Sequence, residues 1–320
     1  MSLNKICCLL FITLFLVSCK DKYEKYTKKP DYITHPPADK KPYFDAYDTT
    51  LAVWDVSFKE LYIPTTYGTA HVIVSGPESG EPLVLLHGMN SSSTMWYPNI
   101  KALSKNYQVF AIDFILEPGK SYKTKDMEST EQISAWYQEI ISKLELKSYH
   151  LIGASRGGWM AVNLALQNQE NIKSMVLLSP AQTFIWIRPS VDLLKNIISA
   201  FSSNEKQVQQ TLESMSSNMG NINKNYIKQY ILGKDQDSIN KFVVDMMPFS
   251  KGDFKSLKMP VLVLIGDNDV INNDKTLRNA KKFIANSQTE TISNAGHFLS
   301  VDQAEVVNNK ILEFLDSTKK

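Results

Sequence analysis

The stretch LIGASRGGWM, residues 151–160, sets one serine among three glycines directly after an apolar run. YHLI (149–152) reads as a buried strand and WMAVNLALQN (159–168) as a helix, so the turn between them passes from strand to helix within a few residues. Gly153 and Gly157 stand two residues before and two after Ser155. With no Cβ at either place the turn packs tightly, lifting Ser155 out of the helix with its hydroxyl exposed. The bare pattern G-x-S-x-G arises by chance in about one chain in ten of this length. The turn alone therefore allows two readings, a nucleophile or a small residue that eases a bend.

A serine nucleophile needs a base, and the base needs an orienting acid. In a strand–turn–helix setting of this kind both follow the serine in the chain, acid first. The body holds only His71, His87, His150 and His297, with His35 near the start, and only His297 comes after Ser155. It sits in NAGHFL, after the short run Thr289–Ile292 and before the last helical stripe. Two aspartates follow the apolar run PVLVLIG (260–266). Asp269 lies far enough into the loop to reach a histidine above the sheet, and is the favoured acid. Asp267, nearer the strand, is the alternative, with capping of the turn through backbone hydrogen bonds as its other role. A tetrahedral intermediate also needs backbone N–H donors where its charge develops. HGMNSSS (87–93), after PLVLL, is placed to supply one from Met89, and Arg156, directly after the serine, supplies the other. The Arg156 side chain and His87 read as structural.

Continuous apolar runs recur at PLVLLHG (82–88), YQVFAID (107–113), YHLIGAS (149–155), SMVLLSP (174–180) and PVLVLIG, the signature of strands buried on both faces. Val56–Pro64 and Thr69–Gly76 read as an antiparallel pair ahead of them. Helical periods alternate with these runs: Ile133, Trp136, Tyr137, Ile140, Ile141 and Leu144, and later Val307, Ile311, Phe314 and Leu315 behind a Ser300/Gln303 capping box. The body is thus α/β with a mostly parallel sheet. One stretch breaks the alternation. From about 182 to 252 three helical stripes appear instead: Leu194, Ile197, Ile198, Phe201; Val208, Leu212, Met215, Met219; and Ile239, Phe242, Val243, Met246, Met247. They read as a helical cap inserted after the strand ending near Pro180.

Apolar residues make up 43% of the 320, enough for a sizeable core, and 35 basic against 33 acidic residues leave a net charge of +2. That balance carries no footprint for nucleic acid. All cysteines, Cys7, Cys8 and Cys19, precede residue 20, so the body has neither a disulfide framework nor a thiolate metal site. Lys5, the apolar run ICCLLFITLFLV and LVSC (16–19) read as a secretory signal over 1–18, too short to span a bilayer. LVSC resembles the lipobox of bacterial lipoproteins, which implies lipidation of Cys19, export and a membrane anchor in the cell envelope. An ordinary signal with apolar cysteines is the plainer alternative. Residues 19–50, rich in Lys, Asp, Tyr and Pro, read as a flexible tether ahead of a body over 51–320.

HGM (87–89), DFILEPGKS (113–121), GASRGG (153–158), GDND (266–269) and AGH (295–297), in this order, resemble the α/β-hydrolase superfamily, above all its capped bacterial carboxylesterase-like members. The resemblance covers about residues 53–320. It implies Ser155 as nucleophile, His297 as base, Asp269 as its partner, and no metal or cofactor. The reaction read from these residues is cleavage of a carboxylic ester, and the apolar cap stripes with Phe184, Ile185 and Trp186 at the cap entry point to a small or medium apolar acyl or alcohol group, with cap core as their alternative role. Many relatives carry a glycine soon after the strand ending at Asp113, where this chain has Leu116, which leaves the pocket shape there open. The fold also hosts lactonases, thioesterases, C–C hydrolases, peptidases and cofactor-free peroxidases, and a non-catalytic anchored ligand-binding module is a further reading.

Overall fold

The apolar runs become the strands of one sheet. In the computed structural model, which describes residues 21–187, 205–234 and 246–319, these are β1 (Phe58–Thr65), β2 (Gly68–Ser75), β3 (Glu81–Leu86), β4 (Tyr107–Ile112), β5 (Tyr122–Lys123), β6 (Tyr149–Ala154), β7 (Ile172–Leu178), β8 (Val261–Gly266) and β9 (Ser287–Ile292). Their order is β1-β2-β4-β3-β6-β7-β8-β9, with β5 paired to β2. The hairpin β1–β2 is antiparallel and β2 joins β4 antiparallel, whereas every pairing from β4 to β9 is parallel. Alternate residues of one strand serve opposite cores. Val84 and Leu86 pack with Trp136 and Trp159 on one face, Leu83 and Leu85 with Ile311 and Phe314 on the other. Each such leucine contributes about 1.5–3 kcal/mol on burial, which is why these strands read as unbroken apolar runs. Parallel pairing brings the carboxyl ends of β3, β6, β8 and β9 to one edge, and the site assembles there.

The inserted cap is seen in part. Val208 and Leu212 are buried on the Glu205–Met215 helix, and Met219 lies in a short 3-10 turn, Met219–Asn221. A second helix, Lys224–Lys234, went unread in the sequence because its buried face is Tyr226, Gln229 and Tyr230 rather than an aliphatic stripe. The Leu194–Phe201 stripe and most of the Ile239–Met247 stripe lie outside the described residues; Met246 and Met247 are on irregular backbone, not a helix. The two ends of the insertion meet where Phe249 N–H donates to Thr183 O at 3.1 Å.

Two expectations need correction. The stretch read as a tether is packed structure from Asp21 onward. Tyr23 is 4% exposed, sets its ring edge on Phe110 at 5.8 Å and donates to Leu144 O at 3.3 Å. The helix Lys41–Leu51 buries Tyr43, Tyr47 and Leu51, one every four residues, against the body and the Lys224–Lys234 helix. Tyrosine rings supply the apolar face that a composition rich in Lys, Asp and Pro conceals. Residues 1–20, with the signal and Cys19, lie outside the described residues. The Ser300/Gln303 capping box is also absent. Ser300 lies inside a short helix, Leu299–Asp302, and Gln303 sits at the break before the helix Ala304–Ser317. Its side chain donates to Asn294 O at 3.1 Å instead.

Candidate active site

Ser155 sits at φ 51°, ψ −116°, between β6 and the helix Arg156–Gln167. A non-glycine residue holds that conformation only when its surroundings dictate it, and here they do. Ser155 N–H donates to Leu178 O at 2.8 Å, while its carbonyl accepts from Gly158 and Ala181 N–H at 3.0 and 3.1 Å. The flanking glycines are obligatory. A Cβ on Gly153 would stand 2.2 Å from Gly157 O, and one on Gly157 would stand 2.2 Å from Leu86 O. So the second glycine lets the new helix lie against the end of β3.

His297 follows β9 and Asp269 follows β8. His297 Nε2 lies 2.8 Å from Ser155 Oγ, and its Nδ1 lies 3.0 Å from Asp269 Oδ1. An Nδ1 proton directed at the carboxylate leaves the Nε2 lone pair facing the serine hydroxyl. Asp269 also accepts from Ile271 and Asn272 N–H at 2.8 and 3.1 Å, and from Asn272 Nδ2 at 3.0 Å. Burial pushes its pKa up, but the His297 charge and these N–H bonds outweigh that and hold it at about 2. Asp267 has the other role. It accepts from Asn294 and Ala295 N–H at 2.9 and 3.0 Å, binding the end of β8 to the loop that carries His297.

The turn after β3 closes the remaining side. A Cβ on Gly88 would touch the Ser155 Cβ at 3.5 Å, so the Gly88–Met89 backbone lies directly beside the serine. His87 is structural: its Nδ1 bonds Gly88 O at 2.8 Å and its Nε2 accepts from Phe114 N–H at 2.9 Å. Burial lowers its pKa to about 4, which keeps the ring neutral near pH 7.

A family model for the alpha/beta hydrolase fold matches residues 81–222. The chain is 34% identical over 281 residues to an uncharacterized carboxylesterase, nap, of Bacillus subtilis, covering 86% of this chain and 92% of that protein. To carboxylesterase YbfK of the same organism it is 31% identical over 279 residues, 85% of this chain and 93% of that one. Among solved structures, naproxen esterase (carboxylesterase NP) of Bacillus subtilis matches with a TM-score of 0.82 at 33% identity, over 87% of this chain and 99% of that chain. The chain belongs to the α/β-hydrolase family. It is a carboxylesterase-like serine hydrolase.

Three further carboxylates hold the loops of this hydrolase, and none was singled out from the sequence. Asp302 accepts from Gly296 and Ser217 N–H at 2.7 and 2.9 Å and from Ser216 Oγ at 2.5 Å, stitching the His297 loop to the cap. Asp113, after β4, accepts from Ser93 N–H at 2.7 Å, Lys120 N–H at 2.9 Å and Tyr47 Oη at 2.9 Å. Its partner His71, 2.9 Å away, bridges to Glu60 at 3.1 Å, and Lys120 Nζ closes the cluster on Glu60 at 2.5 Å. Burial opposes charge on His71, but the two carboxylates win and raise its pKa. Glu117 accepts from Asn90 N–H at 2.6 Å and pairs with the Arg156 guanidinium. The departure at Leu116 thus stands beside a buried ion pair. As read from the sequence, the Arg156 side chain is engaged structurally, stacked 4.6 Å from the Phe114 ring centroid. Asp113 and Glu117 both fall within DFILEPGKS, a motif legible as a unit but not in its roles.

Proposed function

We propose that this hydrolase cleaves carboxylic esters through an acyl-enzyme, with Ser155 as nucleophile, His297 as base and Asp269 as the orienting acid. The unbroken line Asp269–His297–Ser155, with separations of 3.0 and 2.8 Å, carries the reading. His297 Nε2 takes the hydroxyl proton as Oγ attacks the ester carbonyl. The Met89 and Arg156 N–H groups receive the oxyanion. The imidazolium, steadied by the Asp269 carboxylate, protonates the leaving alcohol, and a water repeats the sequence on the acyl-enzyme. We take the ester to carry an apolar acyl or alcohol group of small or medium size, a reading supported by exposed apolar side chains on the loops at this end of the sheet. Met89, Trp186 and Met247 are 39%, 57% and 56% exposed on loops after β3, after β7 and at the return from the cap. The test is Ser155→Ala. Turnover of p-nitrophenyl esters and labelling by a fluorophosphonate should both vanish at unchanged thermal stability; retained turnover sinks the assignment.

We further propose that the chain is exported and anchored through a lipid on Cys19. The motif LVSC after a short apolar run supports this reading. Asp21, two residues after Cys19, is tied to Lys59 Nζ at 2.7 Å, so such an anchor would hold the body close to its membrane, within the reach of a few residues. Cys19→Ala should move the protein from the membrane fraction to the soluble one; unchanged membrane association would reject the anchor.

A further inference from the structure

We propose that Glu117 is a positioning residue that sets the separation of the two oxyanion donors. This rests on the reading of Ser155 as nucleophile with Met89 and Arg156 N–H as the hole. The donors belong to different loops, one after β3 and one at the elbow after β6. In the Met89 loop, the residue Glu117 binds is Asn90, the next in the chain, through its N–H at 2.6 Å. In the elbow, the residue Glu117 binds is Arg156 itself, through the guanidinium. One carboxylate therefore ties both donor-bearing segments together. Its side chain is 2% exposed and that of Arg156 4%, so solvent does not loosen the tie.

Backbone geometry adds a second reason. Asn90 sits at φ 54°, in the left-handed region, so the peptide after Met89 is held in a conformation that an L-residue adopts reluctantly. The Glu117 bond to that same peptide N–H fixes its plane, and the Met89 N–H is the preceding donor on the same turn. Charge supplies a third. A carboxylate this near an oxyanion would repel it unless neutralised, and Arg156 neutralises it. Charge and reach are therefore both part of the role.

A hole held in this way is felt only once negative charge develops on the substrate oxygen. Glu117→Gln keeps size and one acceptor but sets a neutral amide against the guanidinium and removes the carboxylate charge that faces it. With a p-nitrophenyl ester, kcat should fall about 10- to 100-fold while KM stays within about twofold. The inhibition constant of an aryl trifluoromethyl ketone, which closes on serine as a tetrahedral alkoxide, should rise by the same factor, and the pH–rate profile should keep its shape. Unchanged kcat and ketone affinity, or losses that appear in KM and melting temperature alone, overturn the proposal. Should Glu117→Gln not fold, Glu117→Asp, with its charge kept and its reach shortened, is judged by the same readouts. Ser155→Ala run alongside separates the two claims. If Ser155→Ala is inactive and the Glu117 variants match wild type, only the positioning role fails; if Ser155→Ala still turns over, the nucleophile fails instead.

Discussion

The two sides of the site are both held by carboxylates, and what separates them is whether a cation is among the partners. On the histidine side, Asp267, Asp269 and Asp302 accept from backbone N–H, amide and hydroxyl groups, and among the described residues none is paired to a lysine or arginine. On the oxyanion side, Glu117 pairs with Arg156, Asp113 with His71, and Glu60 with both His71 and Lys120. Under the mechanism proposed above, the difference follows from where charge would develop. An imidazolium would form on one side, and carboxylates without a cation would favour it. An oxyanion would form on the other, where a bare carboxylate would oppose it, so there negative charge is cancelled by a cation. The same residue type serves both sides, and its partner decides the field it makes.

The largest effect should come from the two aspartates of one loop. Asp269→Asn removes the charge that faces the imidazolium and allows the wrong ring tautomer, so kcat should fall about 10³- to 10⁴-fold. Asp267→Asn leaves that charge in place and weakens only the N–H bonds to Asn294 and Ala295 at an exposed carboxylate, so kcat should stay within about tenfold and stability should drop by about 1 kcal/mol or less. Steady-state kinetics with urea unfolding of both variants measure this. Equal losses in kcat would show that the acid role is shared.

A smaller effect should separate the two sides by stability. Asp113→Asn leaves a buried His71 charge with one carboxylate fewer, and breaking such a pair costs about 3–5 kcal/mol. Asp302→Asn meets only neutral donors, two of which, the Gly296 and Ser217 N–H groups, an amide oxygen in the Oδ2 position still satisfies, and should cost about 1–2 kcal/mol. Thermal and urea unfolding of the pair give the difference, and the reverse ranking would break the distinction between cation-paired and amide-held carboxylates.

Much of this was legible because it is local or ordered along the chain. The parallel strands announce themselves as apolar runs, since both their faces are covered. Ser155 is marked by glycines that its own turn requires, and His297 is the single histidine late enough in the chain. Asp269 could be preferred over Asp267 because its depth in the loop sets its reach. What stayed hidden depends on meetings between distant segments. Glu117 finds its partners 27 and 39 residues away, and Asp302 finds Ser216 86 residues away. No spacing rule records such pairs. The Lys41–Leu51 and Lys224–Lys234 helices were missed or misread for a different reason. They meet through tyrosine and glutamine, with Gln229 Nε2 donating to Tyr43 Oη at 3.3 Å. Hydropathy patterns count such residues as surface.

The smallest effect concerns acid, and it separates one residue of each side by pH. His87, on the oxyanion side, titrates at about 4 when folded against an ordinary 6.5, because burial disfavours its charge. As pH falls from 6.5 to about 4 the unfolded chain binds a proton that the folded one refuses. Stability should therefore fall across that window, by at most about 1.4 kcal/mol per pH unit from this group. Asp269, on the histidine side, is depressed instead, from 3.8 to about 2. Its contribution is present above 3.8 and lost only as pH falls toward about 2, so the two windows barely touch. His87→Gln can still donate to Gly88 O and accept from Phe114 N–H but has no proton to take up. In urea unfolding between pH 6.5 and 4 the variant should show a flatter decline than wild type, by up to one proton, and the two should run parallel below pH 3.8, where the depressed carboxylates, Asp269, Asp113 and Glu60 among them, take over. A wild-type slope in the variant would place the mild-acid loss elsewhere in the molecule.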